Sequence, residues 1–225
     1  MTQPSFFEMI KNFFKKSPIT ASIFALNILL FVGHIVLGFF ITNGLLPTFG
    51  LVPVLVVQFN QWYRVVSTMF FHTDLLHIAS NMLVLYILGT ALERTLGPWR
   101  YALLYFLSGI GSSLAVTFLT NPLTYTIGAS GAIYGVMGAL LYITFVRPTW
   151  FSFQSVKTIR TLMIINIIIT FIFPNISIVG HLGGLGVGVL LSVLLVPSTP
   201  HFQKNIKKYD YGFETVDDGE GNWVN

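Results

Sequence analysis

Six stretches of this chain are long and apolar enough to cross a lipid bilayer, and a chain so built has few folds open to it. A span needs about 20 largely apolar residues, because the hydrocarbon core is about 30 Å thick and an α-helix rises about 1.5 Å per residue. The stretches run from Ile19 to Thr42, Leu75 to Leu92, Trp99 to Leu119, Ser130 to Val146, Ile159 to Phe173 and Ile178 to Val196. Charged residues make up 9% of the chain, where soluble domains carry about 25%, and the mean hydropathy is +0.75. So few charges cannot cover the surface of a soluble domain of 225 residues. The expectation is an all-α membrane protein with six transmembrane helices. Cysteine is absent, which removes disulfides, thiolate zinc sites and cysteine nucleophiles.

The charges that remain carry a topology signal. Lys11, Lys15 and Lys16 precede the first span, and Arg94 and Arg100 bracket the connection between spans two and three. Arg147, Lys157 and Arg160 separate spans four and five, and Lys204, Lys207 and Lys208 follow span six. With six crossings these 11 of the 12 basic residues share one side, leaving only Arg64 on the other. The positive-inside rule then makes both termini cytoplasmic. The net charge of +4 reflects that distribution, so no nucleic-acid partner is expected. Residues 1–18 read as a cytoplasmic segment before a retained first helix, since lysines interrupt their apolar patches. Residues 197–225 read as a disordered cytoplasmic tail, acidic after Lys208. The external connection from Asn43 to Asp74, with Pro47, Pro53, Trp62 and Tyr63, reads as a segment lying in the membrane interface.

Polar residues within the spans are costly and therefore informative. At the head of span four stands Thr126-Ile127-Gly128-Ala129-Ser130-Gly131-Ala132-Ile133-Tyr134. Ser130 admits two roles there: an N-cap beside packing glycines, or a nucleophile at a helix N-terminus whose free N–H groups favour developing negative charge. In span six, Gly184 and Gly188 share a helix face with His181, and Gly131, Gly135 and Gly138 form a matching stripe on span four. Packing the two stripes together brings His181 beside Ser130. Alone, His181 is as readily a histidine bonded to a carbonyl; paired with Ser130 it suits a general base. His77 and Asn81 lie one turn apart in span two and offer N–H donors of the kind that hold an oxyanion. Asp74, three residues before His77, reads as the N-cap of that span rather than as a third catalytic group. His34 in span one reads as an interior packing or hydrogen-bonding residue.

These residues resemble the rhomboid family of intramembrane serine proteases. Gly128-Ala129-Ser130-Gly131 resembles its nucleophile motif, with Tyr134 four residues on, and His181 with Gly184 and Gly188 resembles its sixth-helix motif. His77 and Asn81, with His72 five residues before His77, resemble its second-helix pattern. Gly89-Thr90-Ala91-Leu92-Glu93-Arg94-Thr95-Leu96-Gly97 and Trp62-Tyr63-Arg64 resemble two further signatures, the second with Tyr63 where Trp is common. The resemblance spans residues 19–196.

It implies a six-helix bundle with a short inner fourth helix. It also implies Ser130 as nucleophile, His181 as general base, and His77, Asn81 and the Ser130 N–H as oxyanion hole. Tyr134, Gly128, Gly131, Gly184 and His72 would support the site, and Glu93 would be a structural partner of Arg94 or nearby backbone. No metal and no cofactor is implied. Substrates would be single-pass membrane proteins cleaved in or near their transmembrane segments, at a site opening to the external side. A metalloprotease is excluded because His77-Ile78-Ala79-Ser80-Asn81 lacks the Glu and second His of that motif. An aspartyl protease is excluded because Asp74 is the only Asp before the tail. The rival from another class is a catalytically silent rhomboid-like protein that binds membrane clients; such a protein is expected to lack Ser130 or His181, and both are present.

Overall fold

A computed structural model describes residues 5–38, 45–174 and 176–202. Among these residues the chain is helical, and its only strand-like feature is a single bridge pairing Leu51 with Thr126. An amphipathic helix, α1 (Phe6–Lys16), opens on a capping box in which Ser5 and Glu8 bond each other's backbone N–H. It leads into α2 (Pro18–Gly38), and four further apolar helices are α3 (Leu75–Leu96), α4 (Pro98–Leu119), α6 (Phe153–Ile172) and α7 (Ile178–Leu195). These five, α2 included, have the length and composition to cross a membrane. The sixth, α5 (Ser130–Val146), has 17 residues.

Burial explains why the short helix lies innermost. Every residue of α5 from Ala132 to Leu140 is buried, and it contacts α3, α4, α6 and α7. A helix apolar all round is covered all round. The outer helices instead leave large apolar side chains exposed, among them Phe171 on α6 and Leu190 and Leu194 on α7, as lipid-facing surfaces require.

Most helix limits follow the apolar pattern, with two differences. Span five begins at Phe153 rather than Ile159, because Ser152 caps it and backbone bonding continues past Lys157 and Arg160. Span two runs on past Leu92 to Leu96, with Glu93 and Arg94 inside the helix. Within α3, residues Leu85–Gly89 form a π-turn, which shifts the helix face between its two ends. The end expected for span one at Thr42, the start of the connection between α2 and α3, the lysines 204, 207 and 208 and the acidic tail lie outside the described residues.

Two contacts hold the bundle at its most demanding points. The first joins α5 to α7. A Cβ placed on Gly184 would strike the Gly131 carbonyl, one on Gly188 the Gly135 carbonyl, and one on Gly138 the Leu185 carbonyl. Only hydrogen at these positions lets the two backbones meet. On the other side of α5, Gly131 and Gly135 receive Ser112 and Ser108 of α4, and Ser112 Oγ donates to the Gly180 carbonyl of α7 at 2.7 Å.

The second contact is at Glu93. Its buried carboxylate accepts from the N–H of Ile19 at 2.9 Å, the N–H of Thr20 at 2.8 Å and the Thr20 hydroxyl at 2.6 Å. Of the two partners expected for Glu93, backbone is the one it takes, in the first turn of a different helix. An acid there satisfies orphan N–H groups and complements the α2 dipole.

Both contacts are measurable by denaturant unfolding in detergent micelles. Gly188→Ala is expected to cost about 1–3 kcal/mol through backbone overlap. Glu93→Ala, which strands buried donors, is expected to cost about 3 kcal/mol or more. Leu194→Ala, on the exposed face of α7, should stay near zero by comparison.

Candidate active site

The glycine contact fixes where the polar residues of α5 and α7 lie. Gly131 packs on Gly184, and a Cβ on Gly131 would come 3.8 Å from the Gly180 carbonyl, so the first turn of α5 faces the first turn of α7. Ser130 precedes Gly131 and His181 follows Gly180, which puts both at the same end of the contact. The Tyr134 ring, one turn into α5, stacks on the His181 imidazole with centroids 4.0 Å apart and planes 18° from parallel. His181 Nδ1 lies 2.8 Å from Thr170 Oγ1 of α6, and the Tyr134 hydroxyl reaches both the Asn166 carbonyl, at 2.6 Å, and Thr170 Oγ1. His181 is therefore held on its face by Tyr134 and on one edge by Thr170, and it is buried. Among the described hydrogen bonds none joins Ser130 to His181. Such bonds are often long in a free enzyme and close when substrate binds.

Ser130 does not cap α5. Ala129 occupies the N-cap position, no side chain bonds there, and Ser130 is the first helical residue. Its side chain is half-buried and its N–H is among the unpaired donors of the first turn. The turn before it is held by the connection between α2 and α3. Leu51 and Thr126 exchange two backbone bonds, Thr68 Oγ1 donates to the Thr126 carbonyl at 2.8 Å, and the Gly128 N–H donates to the Thr68 carbonyl at 2.9 Å. That connection is itself organised by buried Arg64, which donates to Gln61 Oε1 and to the carbonyls of Pro47 and Gly50. It keeps Val57, Phe59, Trp62, Tyr63 and Val66 exposed, the apolar surface of a segment suited to the membrane interface.

Gly128 is the one residue of this turn that must lack a side chain. Its φ of +125° is disfavoured for L-residues, and a Cβ would lie 2.7 Å from His77 Nε2. The His77 ring thus rests against the turn that presents Ser130. Asp74 caps α3 as expected, accepting from the His77 N–H at 2.9 Å, and that bond with the Thr73 hydroxyl holds its carboxyl below the usual range. Thr73 Oγ1 sits 3.1 Å from His77 Nδ1, which leaves Nε2 as the nitrogen facing Gly128. Asn81, one turn further on and buried, gives one amide hydrogen to the His77 carbonyl at 2.9 Å and keeps a second. His72 packs edge-on against His77, centroids 4.9 Å apart, and neither of its nitrogens has a protein partner among the described residues. Burial is the main reason its pKa falls to about 3; the neighbouring His77 adds to this and Asp74 opposes it. His34 accepts from the Leu45 N–H at 3.4 Å, away from these residues.

A model of the rhomboid domain matches residues 59–198, more than half of the chain and every motif from Trp62 to Gly188. The chain belongs to the rhomboid family. It is 35% identical to the YdcA protein of Bacillus subtilis over 151 residues, 67% of this chain and 72% of that one. It is 33% identical to rhomboid protease GluP of the same organism over 192 residues, 85% of this chain and 38% of the relative. It is 29% identical to rhomboid-type serine protease 2 of Emericella nidulans over 150 residues, 65% of this chain and 29% of that one. The chain thus spans well under half the length of the latter two relatives.

Within this rhomboid bundle the structure gathers Ser130, Tyr134, His181, His77, Gly128 and His72 around one end of α5, with Gly131 and Gly184 at its base. Asn81 lies one turn deeper on α3. Sequence reasoning passed over Thr170. Its signal was the pair of polar residues Asn166 and Thr170, one turn apart in an isoleucine-rich span. It also passed over Thr68 and Thr126, which brace the serine turn.

His72 makes the fold acid-sensitive. Unfolded, it binds a proton as pH falls through 6.5; folded, it stays neutral down to about 3, so the unfolded chain holds more protons between those limits. Stability should therefore fall as pH drops from 6.5 towards 3, and Asp74 adds to the loss once pH falls towards its lowered folded value. Thermal unfolding in micelles across that range should show the slope, and His72→Phe should flatten it.

Proposed function

We propose that this rhomboid is an intramembrane serine endopeptidase that hydrolyses peptide bonds in or near transmembrane segments of single-pass membrane proteins. The observation that carries the proposal is the glycine-faced contact of α5 with α7, which sets Ser130 and a Tyr134-stacked His181 at one end of two touching backbones. His181 accepts the Ser130 proton as the hydroxyl attacks a substrate carbonyl. The oxyanion is held by the Ser130 N–H with His77 and Asn81, donors that stand ready before charge develops. The proton then passes from His181 to the leaving amine, and water, activated by the same His181, hydrolyses the acyl-enzyme. The catalytic unit comprises residues 19–196, between a short cytoplasmic N-terminal segment and a cytoplasmic tail.

The same reading gives the site a side. With the basic residues cytoplasmic, the first turns of α5 and α7 open towards the external face, where water can enter. A helical substrate hides its carbonyls in hydrogen bonds, so the preferred substrates carry small or helix-weakening residues at the outer end of their span.

The decisive experiment incubates the purified protein with a panel of single-pass substrates beside Ser130→Ala and His181→Ala. Both variants should lose cleavage, and a fluorophosphonate should label the parent protein at Ser130 alone. Equal cleavage by all three proteins ends the protease proposal; binding of clients without cleavage or labelling favours a silent client binder. Asn81→Ala and His77→Ala should each lower kcat by about 10²–10³ with folding retained. Orientation is tested separately: the chain has no cysteine, so single cysteines at Lys157 and at Phe59 should react with an impermeant thiol reagent from opposite sides.

A further inference from the structure

A polar cluster of α5 and α6 residues lies along the Nδ1 edge of His181. Thr170 Oγ1 is buried and makes three contacts, 2.8 Å to His181 Nδ1, 2.9 Å to the Asn166 carbonyl and one to the Tyr134 hydroxyl, which itself donates to the same carbonyl at 2.6 Å. We infer that Thr170 is a positioning residue: its oxygen accepts the Nδ1–H of His181 and so keeps the imidazole in the tautomer whose bare Nε2 can take the Ser130 proton. The inference rests on the Ser130–His181 proposal.

Counting protons decides the direction of the bond. Four close contacts link Tyr134 Oη, Thr170 Oγ1, the Asn166 carbonyl and His181 Nδ1. The carbonyl carries no proton, and each hydroxyl carries one. If Nδ1 were bare, two protons would have to serve four contacts among buried groups. With the proton on Nδ1, three serve: Nδ1–H donates to Thr170, Thr170 donates to the Asn166 carbonyl, and Tyr134 donates to either acceptor. An unpaired polar contact in an apolar interior costs free energy, so the second arrangement is preferred. The ring of a neutral histidine has one N–H, so a proton on Nδ1 leaves Nε2 free to accept.

The balance through the reaction is simple. Ser130 Oγ–H gives its proton to Nε2 as the Oγ–C bond forms, and the resulting imidazolium keeps its Nδ1–H on Thr170. Nε2 then returns the proton to the amine as the C–N bond breaks. Throughout, Thr170 gains and loses nothing. In soluble serine proteases a buried carboxylate holds Nδ1–H. Here the described spans carry Glu93 as their acid, and it is engaged at the start of α2. A threonine hydroxyl, its own proton tied to a carbonyl of its helix, supplies the acceptor without a buried charge.

The test uses the full chain in micelles, with ¹⁵N-labelled histidine and His181→Ala to assign the His181 signals. The parent protein and Thr170→Ser should show His181 protonated at Nδ1 and bare at Nε2. Thr170→Val, equal in shape but without an acceptor, should lose that single tautomer. It should also label with fluorophosphonate roughly 10- to 100-fold more slowly, a part of the ~10²–10⁴-fold that a general base contributes, because His181 itself is still present. Its KM for a transmembrane substrate should be unchanged and its kcat reduced, and Thr170→Ser should restore most of the rate. A proton on Nε2 in the parent protein overturns the inference whether or not Thr170→Val folds. So does a Thr170→Val protein that labels at the parent rate. If Ser130→Ala or His181→Ala still cleaves, the dyad itself is wrong; if both are dead while Thr170→Val is fully active, only the role of Thr170 is.

Discussion

The contact of α5 with α7 is made by backbone, and the rest of the bundle is arranged to permit it. Carbonyls of Gly131 and Gly135 occupy the space where side chains of Gly184 and Gly188 would be. In lipid, association gains nothing from expelling water from apolar faces, so close packing and hydrogen bonds must supply the attraction. Two helices at this distance have almost no freedom to slide or rotate. That rigidity sets Ser130 and His181 relative to each other through two peptide chains rather than two flexible side chains, the kind of support a catalytic pair requires. The small residues of α4 extend the same logic to a third helix: Ser108 and Ser112 fit the other side of α5 because Gly135 and Gly131 leave them room.

Around this contact, polar groups of several other elements brace the serine turn and the two histidines. Arg64 gathers carbonyls of the connection between α2 and α3, and that connection holds the turn before Ser130. Asp74 caps the helix that carries His77. Thr170 and Tyr134 enclose His181 on an edge and a face. The chain thereby builds a polar pocket at one end of an apolar bundle, and the groups that hold His181 within it are neutral side chains and backbone.

Much of this was legible in the sequence. The limits of α5 were, because Gly128 and Gly131 flank the serine on one side and Arg147 with Pro148 ends the apolar run on the other. The matching stripes on α5 and α7 were legible from glycine spacing alone. What hid were features set by backbone bonding or by distant partners. The early start of α6 hid because hydropathy reports preference for lipid, whereas a helix continues through Lys157 and Arg160 for as long as its N–H groups find carbonyls. The π-turn in α3 left no mark in composition. Thr170 hid because a threonine in a helix has a ready local partner in the carbonyl four residues back, and His181 lies 11 residues on, across a reversal of the chain. Ser130 as a cap and Ser130 as the first helical residue could be separated only by seeing Ala129 at the cap position.

The carboxylate of Glu93 bears on the order in which the bundle is made. The amide groups it binds belong to Ile19 and Thr20, which leave the ribosome 74 and 73 residues before it does. So the group that completes the first turn of α2 is synthesised well after α2 itself. Until α3 has been made, those amides have no carboxylate to bind. The finished bond then works as a late latch: it closes only when two helices made at different times have taken the right depth beside each other, and it ties the oldest part of the bundle to the helix that carries His77.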